Sequence, residues 1–423
     1  MSEVSIGSIP LPSSRRKKIG ERIAREAMFR VLGRLEIGAL TLHEGPDSHH
    51  FGSTENVQGP VAEVHIHNQE VYTSILTGGS IAAGESYILG HWSSPDPVQV
   101  TRLFCANMAV MDQWDSSQSW LAGIALKIAH RLNRNTATGS KDNISAHYDL
   151  GNDFFALFLD PTMMYSSAVF DDAGVDLDTA SVAKLDEICH QLELTPDDHL
   201  LEIGTGWGGM AIHAAKHFGC KVTTTTISKE QYDYACAAVA RENLEDRITL
   251  LCQDYRTLEG EYDKLVSIEM IEAVGHEFYK EYFQRCSDLL KPDGKMVIQA
   301  ITMADQRYEQ ARDDVDFIKR YIFPGGCLPS VAVIAQHLAE DTNLQMVHLR
   351  DITQDYALTL DHWRTRFMGK LDTVREMGFD ENFIRMWDYY LCYCEGGFRE
   401  RIISTVQLAF AKPAYRLPLS KAV

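Results

Sequence analysis

No stretch of this sequence approaches the ~18 consecutive apolar residues of a membrane-crossing helix, so no span is expected. Basic charge is in short supply. Forty Lys and Arg stand against 59 Asp and Glu, a formal net charge of −19. A surface of that sign repels nucleic acid, and no nucleic-acid partner is expected. Paired cysteines are missing as well. The nine cysteines are odd in number and include no C-x-x-C pair, which argues against a disulfide framework and for a reducing compartment. Cys392 and Cys394 form only C-x-C, and no metal is expected there. The opening MSEVSIGSIPLPSSRRKK lacks an apolar core behind its charges and does not read as a secretory signal. A cytoplasmic protein is expected.

What the chain does have is length and a varied texture. Its 423 residues, 45% of them hydrophobic, suffice for two or three domains with sizeable cores. Residues 1–20 read as a disordered, basic N-terminal segment. Against the overall charge, Arg15 to Arg34 holds six Arg and two Lys against Glu21 and Glu26, a local +6. Ile19, Ile23, Ala27 and Val31 or Leu32 recur there at helical spacing. A basic amphipathic helix follows, either a domain-opening helix with a solvated face or a contact for anionic lipid headgroups.

Residues 21–120 read as a small α+β domain. GALTLHE, AEVHIHN and VYTSILT alternate like half-buried strands, and VQVTRLFCANMAVM is helical with Asp96 near its cap. His65 and His67 share a strand face with no carboxylate or cysteine pattern to complete a metal site, so a surface or packing role is expected. Residues 121–146 are assigned as a linker, polar and rich in Gly, Ser and Asn from 133 onward. From 147 onward apolar runs alternate with helical patterns, which predicts an α/β domain with a mostly parallel sheet covered on both faces.

The first strand of that domain, LLEI, runs into G-T-G-W-G-G. Gly204, Gly206 and Gly209 fit G-x-G-x-x-G, which suits either a pyrophosphate or the amino-acid end of S-adenosylmethionine (SAM). Two details favour SAM over NAD. Glu202 lies two residues before Gly204, and a carboxylate there suits an ammonium or sulfonium better than phosphates. The second strand ends TTTTISKEQ with no acid at its tip, leaving Gln231 for a ribose diol, and Asp254 follows the third strand where it can accept from an adenine amino group.

These residues resemble the cyclopropane fatty acyl phospholipid synthases and the related mycolic acid cyclopropane synthases. The resemblance rests on HYDLGNDFFALFLDPTMMYSS (147–167), LEIGTGWGG (201–209), TTISKEQ (225–231), QDYRTL (253–258), SIEMIEAVGHEFY (267–279), FIKRYIFPGGCLPS (317–330) and DYALTLDHW (355–363). GESYILGHW resembles the N-terminal domain of the phospholipid-acting members. The resemblance implies a class I SAM-dependent methyltransferase fold, Rossmann-like with a seven-stranded sheet, and a lid insertion around 303–340. It implies SAM as cofactor and unsaturated membrane phospholipid as substrate. The alkene of an acyl chain attacks the SAM methyl, a base removes a proton from the new methyl group, and a ring closes. It also implies work at the inner membrane face, where the basic helix meets an anionic surface. A homodimer is compatible with such work.

Carried over by motif, Tyr165, Ser166, Gly204, Gly206, Trp207, Thr226, Gln231, Asp254, Tyr255 and Ile268 join Glu202 around the cofactor. The family uses bicarbonate as base, and its ligands fall on Glu272, Ile301 and Tyr356. Two positions depart: Ser167 stands where many members carry Cys, and Gln299 where many carry His. Gln cannot take up a proton as His can. The alternative product is therefore a methyl-branched, still unsaturated chain. More distant readings are a soluble small-molecule methyltransferase, a lipid-binding protein without catalysis, and an oxidoreductase.

Overall fold

The computed structural model describes residues 14–53, 59–110 and 150–416, with backbone alone for 14–19. The predicted linker 121–146 lies outside the described residues, as does the predicted disordered segment up to residue 13. The chain divides into two compact units, residues 1–122 and 123–423. Among the described residues no helix is long and apolar enough to cross a membrane.

The first unit begins with helix Ser14–Leu32. Ala24, Met28 and Leu32 are its buried stripe; Leu32 falls where the periodicity allows it, whereas Ala24 and Met28 stand one residue beyond Ile23 and Ala27, and Ile23 is 61% exposed. Beside this stripe the Arg25 guanidinium pairs with the Glu44 carboxylate and lies 4.1 Å from the Phe29 ring centroid. Four strands follow: β1 (Ala39–Glu44), β2 (Asp47–Gly52), β3 (Val61–Ile66) and β4 (Trp92–Ser93). Their order is β2-β1-β3-β4, with β1 and β3 parallel. VYTSILT is not a strand. It lies in helix Glu70–Ile88, where Val71 and Tyr72, then Ile81 and Ala82, supply buried pairs. A positive φ at Gly79 kinks the helix between them, and that kink is what breaks the helical period in the sequence. Helix Pro97–Ala106 starts where expected, with Asp96 accepting from the backbone N–H of Val98 and Gln99.

The second unit is built on a seven-stranded sheet of order β10-β11-β9-β8-β5-β6-β7. The strands are β5 (His199–Ile203), β6 (Lys221–Thr226), β7 (Ile248–Cys252), β8 (Tyr262–Ile268), β9 (Leu290–Met303), β10 (Gln345–Asp351) and β11 (Ile403–Ala411). β5 to β9 pair in parallel, and β11 is antiparallel to both its neighbours. One core layer includes Leu201, Ile203, Leu265, Phe283 and Phe410; another includes Leu185, Ile188, Met210, Val222 and Val297. Order reverses between β5 and β8, so the carboxyl ends of these two strands form the crevice where this architecture binds ligands.

The predicted insertion 303–340 is shorter in the structure. β9 runs through Met303, and helix Val331–Asp341 buries Ile334 and Leu338 in the core of the sheet. Residues 304–330 connect the two, with short helices Tyr308–Asp313 and Phe317–Tyr321, and Phe317 is buried against Tyr389.

Candidate active site

The glycine loop is pinned to the neighbouring strand, since the backbone N–H groups of Gly204 and Thr205 both donate to the Thr225 carbonyl at 3.0 Å. Gly204, Gly206 and Gly208 have φ of 103°, 53° and 94°, a region that L side chains rarely adopt. A Cβ on Gly206 would meet nothing within 4 Å, so this turn faces open space. At Gly209 a Cβ would sit 2.5 Å from the Thr162 carbonyl oxygen, so this glycine serves close packing instead. The glycine that opens helix Gly209–His213 as its cap is Gly208, in the left-handed region.

Most of the other predicted cofactor residues lie at or after the carboxyl ends of β5 to β8. Trp207 is buried, donates from Nε1 to the Asn152 side chain at 2.6 Å and packs on Phe155. At the end of β6, Thr226 donates to Gln231 Oε1 at 3.0 Å and Gln231 is buried. Asp254 follows β7 and is gripped by Arg256 through both oxygens, at 2.8 and 2.5 Å. Burial works against its charge, but Arg256 holds the carboxyl below its ordinary range. Tyr255 packs edge-on against Tyr282. Ile268 ends β8. These positions, with the open turn at Gly206, offer acceptors for an adenosine and a close backbone approach for a methionine moiety, so the residues fit SAM.

Glu202 is placed differently from its expected partner. It is buried and accepts from the Thr224 hydroxyl at 2.6 Å. Burial pushes its carboxyl up, and the Thr224 hydrogen bond and Lys184 pull it down. Lys184 is fully buried and donates from Nζ to the Ser166 hydroxyl at 2.8 Å. Its charge faces Glu269, Asp160 and Glu202. The cation that answers Glu202 is thus one of the chain's own. Tyr165 hydrogen-bonds Tyr390 at 2.8 Å and packs beside Trp363, Phe155 and Phe323.

Three of the five positions tied to bicarbonate by the resemblance converge on a protein carboxylate. The Ser167 N–H donates to Glu269 Oε1 at 2.9 Å, Gln299 Nε2 to the same oxygen at 2.8 Å, and the Tyr356 hydroxyl to Oε2 at 2.8 Å. Glu269 follows β8 directly, at φ 48°, in the left-handed region where a non-glycine residue is strained. Its N–H is tied to the Gln299 carbonyl at 2.7 Å. Gln299 is locked in turn, its Oε1 accepting from Gln407 at 3.0 Å. Tyr356 stacks on Phe398 at 4.4 Å.

Glu272 and Ile301 are in direct contact, the Ile301 N–H donating to Glu272 Oε1. Glu272 Oε2 is buried without a hydrogen-bond partner among the described residues. Burial, and then the neighbouring Glu269 charge, push the Glu272 carboxyl up to about 8. Glu269 is also pushed up by burial, but Gln299, the Ser167 N–H, Lys184 and Tyr356 all favour its charged form. The donors therefore favour the charged form of Glu269, while burial and the neighbouring charge favour the protonated form of Glu272. With its donors satisfied by Glu269 and a buried acid beside it, this set does not fit a second anion such as bicarbonate.

Glu269 and Lys184 escaped the sequence reading. Glu269 was visible as the first acid of SIEMIEA, at the carboxyl end of a strand next to the order reversal. Lys184 gave no signal, since a lysine inside a helical pattern reads as surface.

Comparison with known proteins agrees with the fold. The family model described as mycolic acid cyclopropane synthetase matches residues 135–408. The tuberculostearic acid methyltransferase UfaA1 of Mycobacterium tuberculosis is 39% identical over 336 residues, 78% of each chain. The cyclopropane-fatty-acyl-phospholipid synthase of Escherichia coli is 35% identical over 357 residues, 83% of this chain and 88% of the relative. The crystal structure of mycolic acid cyclopropane synthase CmaA1 with SAH and CTAB superposes with a TM-score of 0.60 at 30% identity, over 64% of this chain and 98% of that one. With a class I sheet, a SAM-fitting glycine turn and this span of similarity, the chain belongs to the mycolic acid cyclopropane synthetase family and is a SAM-dependent methyltransferase of the cyclopropane synthase type.

Proposed function

We propose that this enzyme methylates a cis double bond in the acyl chain of a membrane phospholipid and releases a methyl-branched, unsaturated chain, with Glu269 as the base. The observation that carries the reading is the convergence of Ser167, Gln299 and Tyr356 on the Glu269 carboxylate. SAM supplies an electrophilic methyl group when bound. Tyr165, Trp363, Phe323 and Tyr390 lie together and supply an apolar, aromatic wall for an acyl chain. Such a wall excludes water, which would otherwise quench the carbocation left after methyl transfer. Ring faces stabilise the cation electrostatically.

The carbocation then loses one proton. Glu269 accepts it on the oxygen edge left open by its three donors, and the electron pair of the broken C–H bond forms the new alkene. Removal of a proton from the chain carbon beside the cation leaves a branch. Removal from the new methyl group closes a ring. A base fixed to the end of β8 by three hydrogen bonds has a restricted reach, unlike a small ion. The replacements at Ser167 and Gln299 and the 39% identity to a relative named as a methyltransferase support the branch.

The basic helix is proposed to hold the enzyme on an anionic membrane surface. Ile23 supports this, being 61% exposed beside the exposed Arg22. Binding to vesicles of anionic lipid that weakens with added salt is expected.

The test is incubation with SAM and vesicles of cis-monounsaturated phospholipid, followed by proton NMR of the released esters. A vinyl proton beside a new methyl signal is expected. Upfield cyclopropane protons would replace the branch by ring closure with the same base. No mass gain on any unsaturated lipid would remove the acyl reading altogether.

A further inference from the structure

The small sheet of the first unit carries a cluster that methyl transfer does not use. β1 and β3 run parallel, with His43 opposite His65 and Thr41 opposite Glu63. Alternation puts His43, Glu63 and His65 on one face, while Leu40, Leu42, Ala62 and Val64 are buried on the other. His65 Nε2 lies 2.9 Å, and His43 Nε2 3.2 Å, from the same oxygen, Glu63 Oε1. The two rings stack with centroids 4.6 Å apart and planes 14° apart. All three ligand atoms lie within 4.8 Å of one another. The side chains remain 28%, 46% and 39% exposed for His43, Glu63 and His65, so an ion has access.

We propose that His43, Glu63 and His65 bind a divalent transition-metal ion of the zinc class, leaving a coordination position open to solvent.

Two imidazoles and one carboxylate suit zinc, nickel or copper, and the imidazoles disfavour magnesium and calcium. The spacing fits. Ligands about 2.0–2.1 Å from a tetrahedral zinc stand roughly 3.3 Å apart, close to the two nitrogen–oxygen distances here. The second shell fits as well. His43 Nδ1 is 2.8 Å from the Ser48 hydroxyl on β2. That hydroxyl accepts from Nδ1–H when Nε2 must present its lone pair to a metal. Strands hold all three ligands, so little conformational entropy is lost on binding. The sequence reading found His65 without a carboxylate to complete a site. The carboxylate is Glu63, two residues earlier on the same face, and the third ligand comes from the parallel neighbour β1.

Two further histidines provide internal controls. His50 contacts Thr41 at 3.1 Å, and His67 contacts Ser93 at 2.7 Å. Neither belongs to the cluster of three.

The experiment titrates the full-length protein, freed of metal with a chelator, with cobalt(II) followed by its visible d–d absorption, and with zinc(II) in competition with a chromophoric chelator. Each of His43→Gln, His65→Gln and Glu63→Gln is expected to lose one equivalent of bound metal, or to weaken it at least tenfold. His50→Gln and His67→Gln are expected to keep it. Circular dichroism and SAM binding check that every variant is folded. Equal stoichiometry and affinity in the wild type and in the three ligand variants would overturn the proposal. So would equal loss in the control variants, because the metal would then be held elsewhere on the face.

Discussion

At the residue scale, Glu269 and Glu272 are three positions apart and differ in what donates to them. Glu269 accepts from a backbone N–H, an amide and a phenol. Glu272 accepts from the Ile301 N–H, and its second oxygen has no hydrogen-bond partner among the described residues. Replacing Glu269 by Gln keeps the volume and removes the base. General-base catalysis contributes roughly 10²–10⁴-fold, so turnover should fall by that factor while calorimetric SAM affinity stays within about twofold. A variant that keeps wild-type turnover would exclude Glu269 as the base. Glu269→Gly, which also relieves the left-handed φ, should regain part of the lost turnover when formate or bicarbonate is added.

Glu272 makes a separate prediction about pH. Its carboxyl is raised from 4.5 to about 8 in the folded protein by burial and by Glu269. A group raised in this way adds stability that is fully present below the unfolded value and is lost as pH rises through the folded one. Each unit between the two removes on the order of 1.4 kcal/mol. Urea unfolding of the wild type should therefore weaken between pH 5 and 8, and Glu272→Gln should flatten that slope. Parallel slopes in the two proteins would mean that Glu272 is ionised in the fold.

At the scale of elements, the Glu269 and Glu272 carboxyls depend on what packs behind them. The segment 304–330 is tied to the site by the Cys327 N–H, which donates to the Glu272 carbonyl at 2.8 Å. Helix Val331–Asp341 anchors that segment through Ile334 and Leu338. Ser330 is its cap, buried, with its hydroxyl accepting from the Val333 N–H at 3.3 Å. Ser330→Ala should cost about 1 kcal/mol in chemical denaturation. Because the anchor loosens the wall beside Phe323, KM for lipid should rise more than kcat falls. An unchanged unfolding midpoint would show that the helix start is held by packing alone.

At the scale of the whole molecule, two compact units and one SAM site predict an uneven response to ligand. SAM at 100 times its Kd adds about 2.7 kcal/mol to whatever unfolds with the site. Calorimetry should show two transitions, of which SAM raises only the one that carries residues 150–416. A single transition that moves as a whole would mean that the units unfold cooperatively.

The class I architecture and the glycine turn are legible in neighbouring residues. Those signals are local: glycines that need positive φ, strand runs ending in them, and caps such as Asp96. The sequence also placed Ser167, Gln299, Tyr356, Glu272 and Ile301 together through family resemblance. Tertiary structure alone decided what they surround. Ser167, Gln299 and Tyr356 are up to 189 positions apart in the chain, and only folding shows their donors meeting on Glu269. The same holds for Lys184, whose burial contradicts its residue type. It holds for the helix that contains VYTSILT, where a glycine kink erased the period. It holds for His43, Glu63 and His65, which meet because parallel strands bring distant residues side by side. Local conformation is written in neighbouring residues, whereas charge pairing and burial depend on contacts that sequence spacing does not encode.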